Sequence, residues 1–178
     1  MFMTQCQLVD PTVEFEQRHD TFLEEFRRRS ELIVPWIIGE PYKTFAEYVG
    51  TLHSAARGIG MPEGFVPHST HWLIDDSGEI VAISNVRHTL TESLRRYGGH
   101  IGYGVRPSAR RRGYGSEVLK QTLNEAKRLG IDRVRLTCDK ENSASSKTIL
   151  RNGGKLDEEE YMAEHGRVIQ RYWIALSL

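Results

Sequence analysis

The chain is poor in cysteine, has no long apolar run, and carries no excess of charge of either sign. Its 178 residues include only two cysteines, Cys6 and Cys138, far apart and with no Cys or His at metal-ligand spacing. That excludes a disulfide-built scaffold and a zinc-finger type of site, and no metal is expected. Two isolated thiols suit a reducing, cytoplasmic setting. No stretch approaches the roughly 20 apolar residues of a membrane span, and mean hydropathy is -0.48. The start, Met-Phe-Met-Thr-Gln-Cys, lacks a basic region followed by an apolar stretch, so no secretory leader is expected. Lys and Arg number 24 and Asp and Glu number 24, for a net charge of zero. A neutral balance supplies no overall attraction to nucleic acid or to an anionic membrane, so neither is expected as a partner.

What is present reads as one domain over residues 1–178, of α/β class. Gln7-Leu8-Val9 is a short strand closed by Asp10-Pro11. Phe15, Phe22, Leu23 and Phe26 recur at helical spacing, and Phe45, Tyr48, Val49 and Leu52 mark a second helix ending near Gly58. His71–Asp75 and Glu79–Val86, separated by Asp76-Ser77-Gly78, read as an antiparallel hairpin. Leu90, Leu94 and Tyr97 suggest a short helix before Gly98-Gly99, and His100–Arg106 a third strand stopped by Pro107. Val118, Leu119, Thr122, Leu123, Ala126 and Leu129 form the apolar face of a long helix, closed by Gly130. Val134, Leu136 and Cys138 then alternate with polar residues as a strand. Strand, helix and strand in that order predict a parallel crossover unit. A helix over Ser143–Leu150, capped by Asn142 or Ser143, and strands near Lys155–Tyr161 and Val168–Leu176 complete the chain.

The segment Arg110-Arg111-Arg112-Gly113-Tyr114-Gly115 lies between a strand and the long helix, with four arginines in the seven residues from Arg106 to Arg112. The first N–H groups of a helix have no partner inside it, and the helix dipole makes that end positive. Glycines there let a ligand approach the backbone. Together these features describe a site for phosphate or diphosphate. Arg110 and Arg112 are the candidate side chains, with Arg111 contributing its backbone. Neither G-x-x-x-x-G-K-[ST] nor G-x-G-x-x-G fits, so neither a P-loop nor a dinucleotide fingerprint is present.

Arg110-x-x-Gly113-x-Gly115, after Val105-Arg106-Pro107 and before an amphipathic helix, resembles the acetyl-coenzyme A motif of the GCN5-related N-acetyltransferases (GNAT). The resemblance is specific from about Ile80 to Gly154, and the stretch from Gly99 through Gly115 is nearest to the branch that acetylates ribosomal-protein N-termini and to uncharacterised predicted acetyltransferases. It implies the acyl-CoA N-acyltransferase fold: a central, mixed, mostly antiparallel sheet with a parallel βαβ cofactor unit and flanking helices. It implies acetyl-CoA as cofactor and an amine as acceptor. The backbone from Arg111 through Tyr114 to Ser116 would hold the diphosphate. Tyr103, Gly104 and Val105 would meet the pantetheine and thioester. Asn142, Ser145 and Lys147 would form a second cofactor region. Many members carry a general-acid tyrosine on the following helix; counting from Asn142, that slot is Ile149 here, so no proton donor carries over.

His100, His88 and Glu92 are the candidate bases or acceptor contacts. The first two have imidazoles that titrate near neutrality, and the third is a carboxylate suited to an amine. Each also has an ordinary reading as a strand or helix-surface residue. Asp157–Glu160 reads as a solvated strand, or as a guide for a cationic substrate. Trp36 and Tyr42 belong to the packing of the first two helices or border the acceptor. Two functions remain open: an N-acetyltransferase, and a non-catalytic acyl-CoA sensor or interaction module. The last strands offer a contact edge for a homodimer.

Overall fold

The computed structural model describes residues 5–176; the first four residues, on which the reading of the chain's start partly rests, lie outside them. Strand β1 (Gln7–Val9) precedes helices α1 (Glu16–Arg28) and α2 (Phe45–Ala56). Then come β2 (His68–Ile74), β3 (Ile80–Arg87), a short α3 (Glu92–Arg96) and β4 (Ile101–Val105). The chain continues through α4 (Tyr114–Arg128), β5 (Arg133–Asp139), α5 (Ser143–Arg151), β6 (Lys155–Met162) and β7 (Arg167–Ala175). The strand predicted from His71 begins three residues earlier. Its polar start is drawn into the ladder by pairing of Ser69 with Val86 and Thr70 with Asn85.

The strands form two antiparallel sheets, ordered β1-β2-β3-β4 and β5-β7-β6. Strand β3 was expected to alternate, yet it is buried along nearly its whole length. The reason is a helix on each face. Phe22, Phe26, Phe45 and Tyr48 of α1 and α2 pack on Trp72 and Ile83. Leu119 and Leu123 of α4 pack with Val86 on the other side. There the Thr122 hydroxyl donates to Ser84 Oγ at 2.7 Å, which satisfies a polar pair inside an apolar layer.

The predicted crossover from β4 through α4 to β5 is present, but the two strands do not form a ladder. They meet where the His100 N–H donates to the Arg135 carbonyl at 2.7 Å. The Arg135 N–H in turn donates to His100 Nδ1 at 2.9 Å. At this junction Gly99 has φ +64, and a Cβ built there would lie 2.4 Å from the Arg135 carbonyl oxygen. Only glycine lets the two backbones come this close. Beyond the junction the sheets part, and the edge of β4 facing β5 has no strand partner among the described residues.

Candidate active site

A cleft of about 890 Å³ lies along Tyr103–Val105 of β4, bordered by the starts of α4 and α5 and by residues 31–34. Helix α4 supplies bare backbone. Its N-cap is Gly113, at φ 92, and no side chain caps the first turn. The Gly113 carbonyl accepts from the Ser116 and Glu117 N–H groups. The earlier N–H groups of the turn have no intrahelical acceptor. A Cβ built on Gly113 meets nothing within 4 Å, so a ligand has room to approach. Helix α5 contrasts with α4, because Asn142 Oδ1 accepts from the Ser145 N–H at 3.1 Å and closes that N-terminus.

Eleven of the thirteen residues expected at the cofactor line the cleft: Tyr103, Gly104, Val105, Arg110, Arg111, Gly113, Gly115, Ser116, Asn142, Ser145 and Lys147. Arg112 and Tyr114 do not. The Tyr114 ring is buried with Leu73, Val81 and Val118 beneath α4. Arg112 lies over that ring, 5.3 Å from its centroid. The expected order of the arginines is therefore changed: Arg111, at φ 63, borders the cleft and Arg112 leans away. Arg110 grips Glu31 with both terminal nitrogens, at 3.1 and 2.5 Å, and its Nε donates to the Val105 carbonyl. That guanidinium holds the Glu31 carboxyl below its usual range.

Reasoning from sequence missed Thr148 and Arg151 on α5 and Glu31, Leu32 and Val34 before α2. The first two follow Ala144 and Lys147 at spacings of four, so helical periodicity places them on the same face. The segment near Val34 left one trace, the glycines of β4. A Cβ on Gly104 would lie 2.0 Å from the Val34 carbonyl oxygen, and one on Gly102 would lie 3.5 Å from Pro35. Alternate glycines in a strand mark the close passage of another backbone.

Neither His100, His88 nor Glu92 lines the cleft. His100 uses Nδ1 to accept the Arg135 N–H. Burial, with Arg95 and Arg87 adding to it, pushes its pKa down to about 4. His88 Nε2 lies 2.9 Å from Ser69 Oγ, and burial lowers its pKa. Glu92 is exposed in the first turn of α3. The acidic run of β6 is matched by cations. Arg135 reaches Asp157 and Glu158 at 2.9 and 2.7 Å, and buried Arg171 reaches Glu158 and Glu160. Tyr42 donates to Asp20 and stacks on Tyr48, so it belongs to the helix packing. Trp36 is half-exposed against Phe65.

An acyl-coenzyme A has three parts to seat: a diphosphate, an amide-bearing arm and a thioester. The bare turn at Gly113 suits the first, and the unpaired edge of β4 suits the other two. A family sequence model described as "Acetyltransferase (GNAT) domain" matches residues 13–155, which include the whole lining of the cleft. The chain belongs to the GNAT acetyltransferase family. As a member it is an acyltransferase, and acetyl-CoA is its acyl donor.

Solved GNAT structures share the fold at low identity. A RimL ribosomal L7/L12 α-N-protein acetyltransferase in complex with coenzyme A superposes with TM-score 0.71 at 16% identity, covering 97% of this chain and 95% of that one. RimJ of Mycobacterium smegmatis, in complex with coenzyme A disulfide, gives 0.68 at 18%, covering 96% and 81%. Spermidine N-acetyltransferase of Vibrio cholerae gives 0.61 at 12%, covering 96% and 94%. No curated protein matches the sequence. Among the described residues no helix is long and apolar enough to cross a membrane.

Proposed function

We propose that this protein transfers the acetyl group of acetyl-CoA to a primary amine, on a small molecule or a protein N-terminus, by direct attack while both are bound. The reading is carried by one observation: an uncapped helix start and an unpaired strand edge border the same cleft.

The roles follow from the groups present. The N–H groups from Arg111 to Gly115, with Arg110, hold the diphosphate. Charge-assisted hydrogen bonds of this kind contribute about 1.5–3 kcal/mol each. Main-chain groups of β4 pair with the amides of the donor's arm. An N–H between Tyr103 and Val105 meets the thioester oxygen and stabilises the negative charge that grows there. The acceptor arrives beside Val34–Pro35, where that segment crosses β4, and fixing both reactants removes much of the entropic barrier. His100 is assigned to the sheet junction and serves as a positioning residue, so the amine loses its proton to water. The two structural relatives named for an N-terminal amine and a polyamine set the acceptor classes to try first. Two free thiols suit the reducing cytoplasm.

A non-catalytic acyl-CoA sensor is the second reading, favoured by the absence of His100, His88 and Glu92 from the cleft lining. Release of coenzyme A thiol from acetyl-CoA across a panel of spermidine, small primary amines and serine-starting peptides separates the two. Amine-dependent release supports the transferase. Tight acetyl-CoA binding with no release for any amine class supports the sensor.

A further inference from the structure

Transfer of an acyl group to nitrogen expels a thiolate, which takes up a proton as it leaves. The family's helix position for that donor is Ile149, which is fully buried in the core beneath α5. The cleft does hold one phenol. Tyr103 projects from β4, the strand that would meet the thioester, and its hydroxyl crosses to α5. There it lies 3.1 Å from Ser145 Oγ, with the Thr148 hydroxyl beside it. The other hydroxyls of the lining, on Ser116, Ser143, Ser145 and Thr148, are aliphatic and far weaker acids than a phenol. The Cys138 thiol is buried against Ser145 and Tyr172 and does not line the cleft.

We propose that Tyr103 is the catalytic residue that protonates the departing coenzyme A thiolate, a role that rests on the transferase reading above. The amine nitrogen bonds to the acyl carbon, the carbon–sulfur bond breaks, and its electron pair goes to sulfur. Sulfur then takes the phenolic proton of Tyr103. The phenolate is reprotonated from solvent through the Ser145 hydroxyl. Burial pushes the Tyr103 phenol up to about 12, against some opposition from its Ser145 hydrogen bond, so the proton is in place at neutral pH.

Coenzyme A itself is the probe, so the test needs no acceptor. The thiol of coenzyme A bound to the wild-type chain is titrated by its ultraviolet thiolate absorbance, and the same is done for Tyr103→Phe and Ser145→Ala. A phenol that donates to sulfur stabilises the bound thiolate. The wild-type complex is therefore expected to show a thiol acidity constant about tenfold above that of the Phe variant, one pKa unit, with Ser145→Ala, which removes the hydrogen bond that orients the phenol, between the two. With the best amine of the panel, Tyr103→Phe is expected to lower kcat on the order of a hundredfold and to leave KM for acetyl-CoA within about twofold. Identical titration in wild type and Tyr103→Phe, with coenzyme A bound to both, overturns the role of Tyr103 and leaves the transferase intact. Loss of the shift in Ser145→Ala alone moves the donor to Ser145. Failure of the wild-type protein to bind coenzyme A removes the functional reading and this inference with it.

Discussion

Replacing His100 by alanine should loosen the junction of the two sheets and not merely slow a reaction. The ring accepts the Arg135 N–H at 2.9 Å in a buried setting. Removing it leaves that N–H without a partner, at about 1–3 kcal/mol, and opens a small cavity that adds to the loss. A total near 3 kcal/mol is expected. With a urea slope of about 2 kcal/mol per molar, the unfolding midpoint falls by about 1.5 M. His100→Asn keeps an oxygen near the place of Nδ1 and should lose roughly half as much. Because the junction sets where the cleft begins, acetyl-CoA binding should weaken alongside stability. Equilibrium urea unfolding and calorimetry on the three proteins measure both effects. An alanine variant with an unchanged midpoint, normal acetyl-CoA binding and reduced turnover would refute the reasoning and return His100 to the chemistry.

Three further outcomes follow from the same contacts. Burial holds His19, His68 and His100 each down to about 4, against 6.5 when unfolded. Unfolding therefore takes up protons between those values, so stability is complete above pH 6.5 and is lost as pH falls towards 4. With all three contributing, the slope near the middle of that window is about 4 kcal/mol per pH unit, and a flat urea midpoint across it contradicts the assignment. Gly104→Ala places a methyl against the Val34 carbonyl. It should cost about 1–3 kcal/mol and weaken acetyl-CoA binding by displacing either β4 or the Val34 segment, both read by calorimetry. Glu31→Gln releases Arg110 from a partly exposed ion pair worth about 0.2–1 kcal/mol; stability should barely change, while coenzyme A binding tightens up to about fivefold. Weaker binding in that variant would mean that Glu31 orients Arg110 and does not compete for it.

Much of the fold is legible in the sequence because its signals are local. The apolar stripe of α4, Gly130 at φ +78, and the alternation of β5 are patterns within a few residues of one another. The bare turn at Gly113 is legible for the same reason. What escapes local reading is contact at a distance. Tyr114 looks like part of an anion loop, yet it is the first apolar residue of the face of α4 and goes inward. His100 looks like a proton carrier until Arg135, thirty-five residues later, claims its ring nitrogen. Glu158 and Glu160 look unpaired until β7 brings Arg171 against them. The Val34 segment has no chemical signature of its own and is betrayed only by glycines in a strand it crosses.

The central claim is that the uncapped turn of α4 and the open edge of β4 together grip the acyl donor. Residue-resolved amide hydrogen exchange, with and without acetyl-CoA, tests it most directly. The account predicts selective protection of the N–H groups from Arg111 to Gly115 and of those of Tyr103 and Val105, with the β2 and β6 amides unchanged. Binding that leaves those two segments exchanging as before, or that protects a different surface, would contradict it.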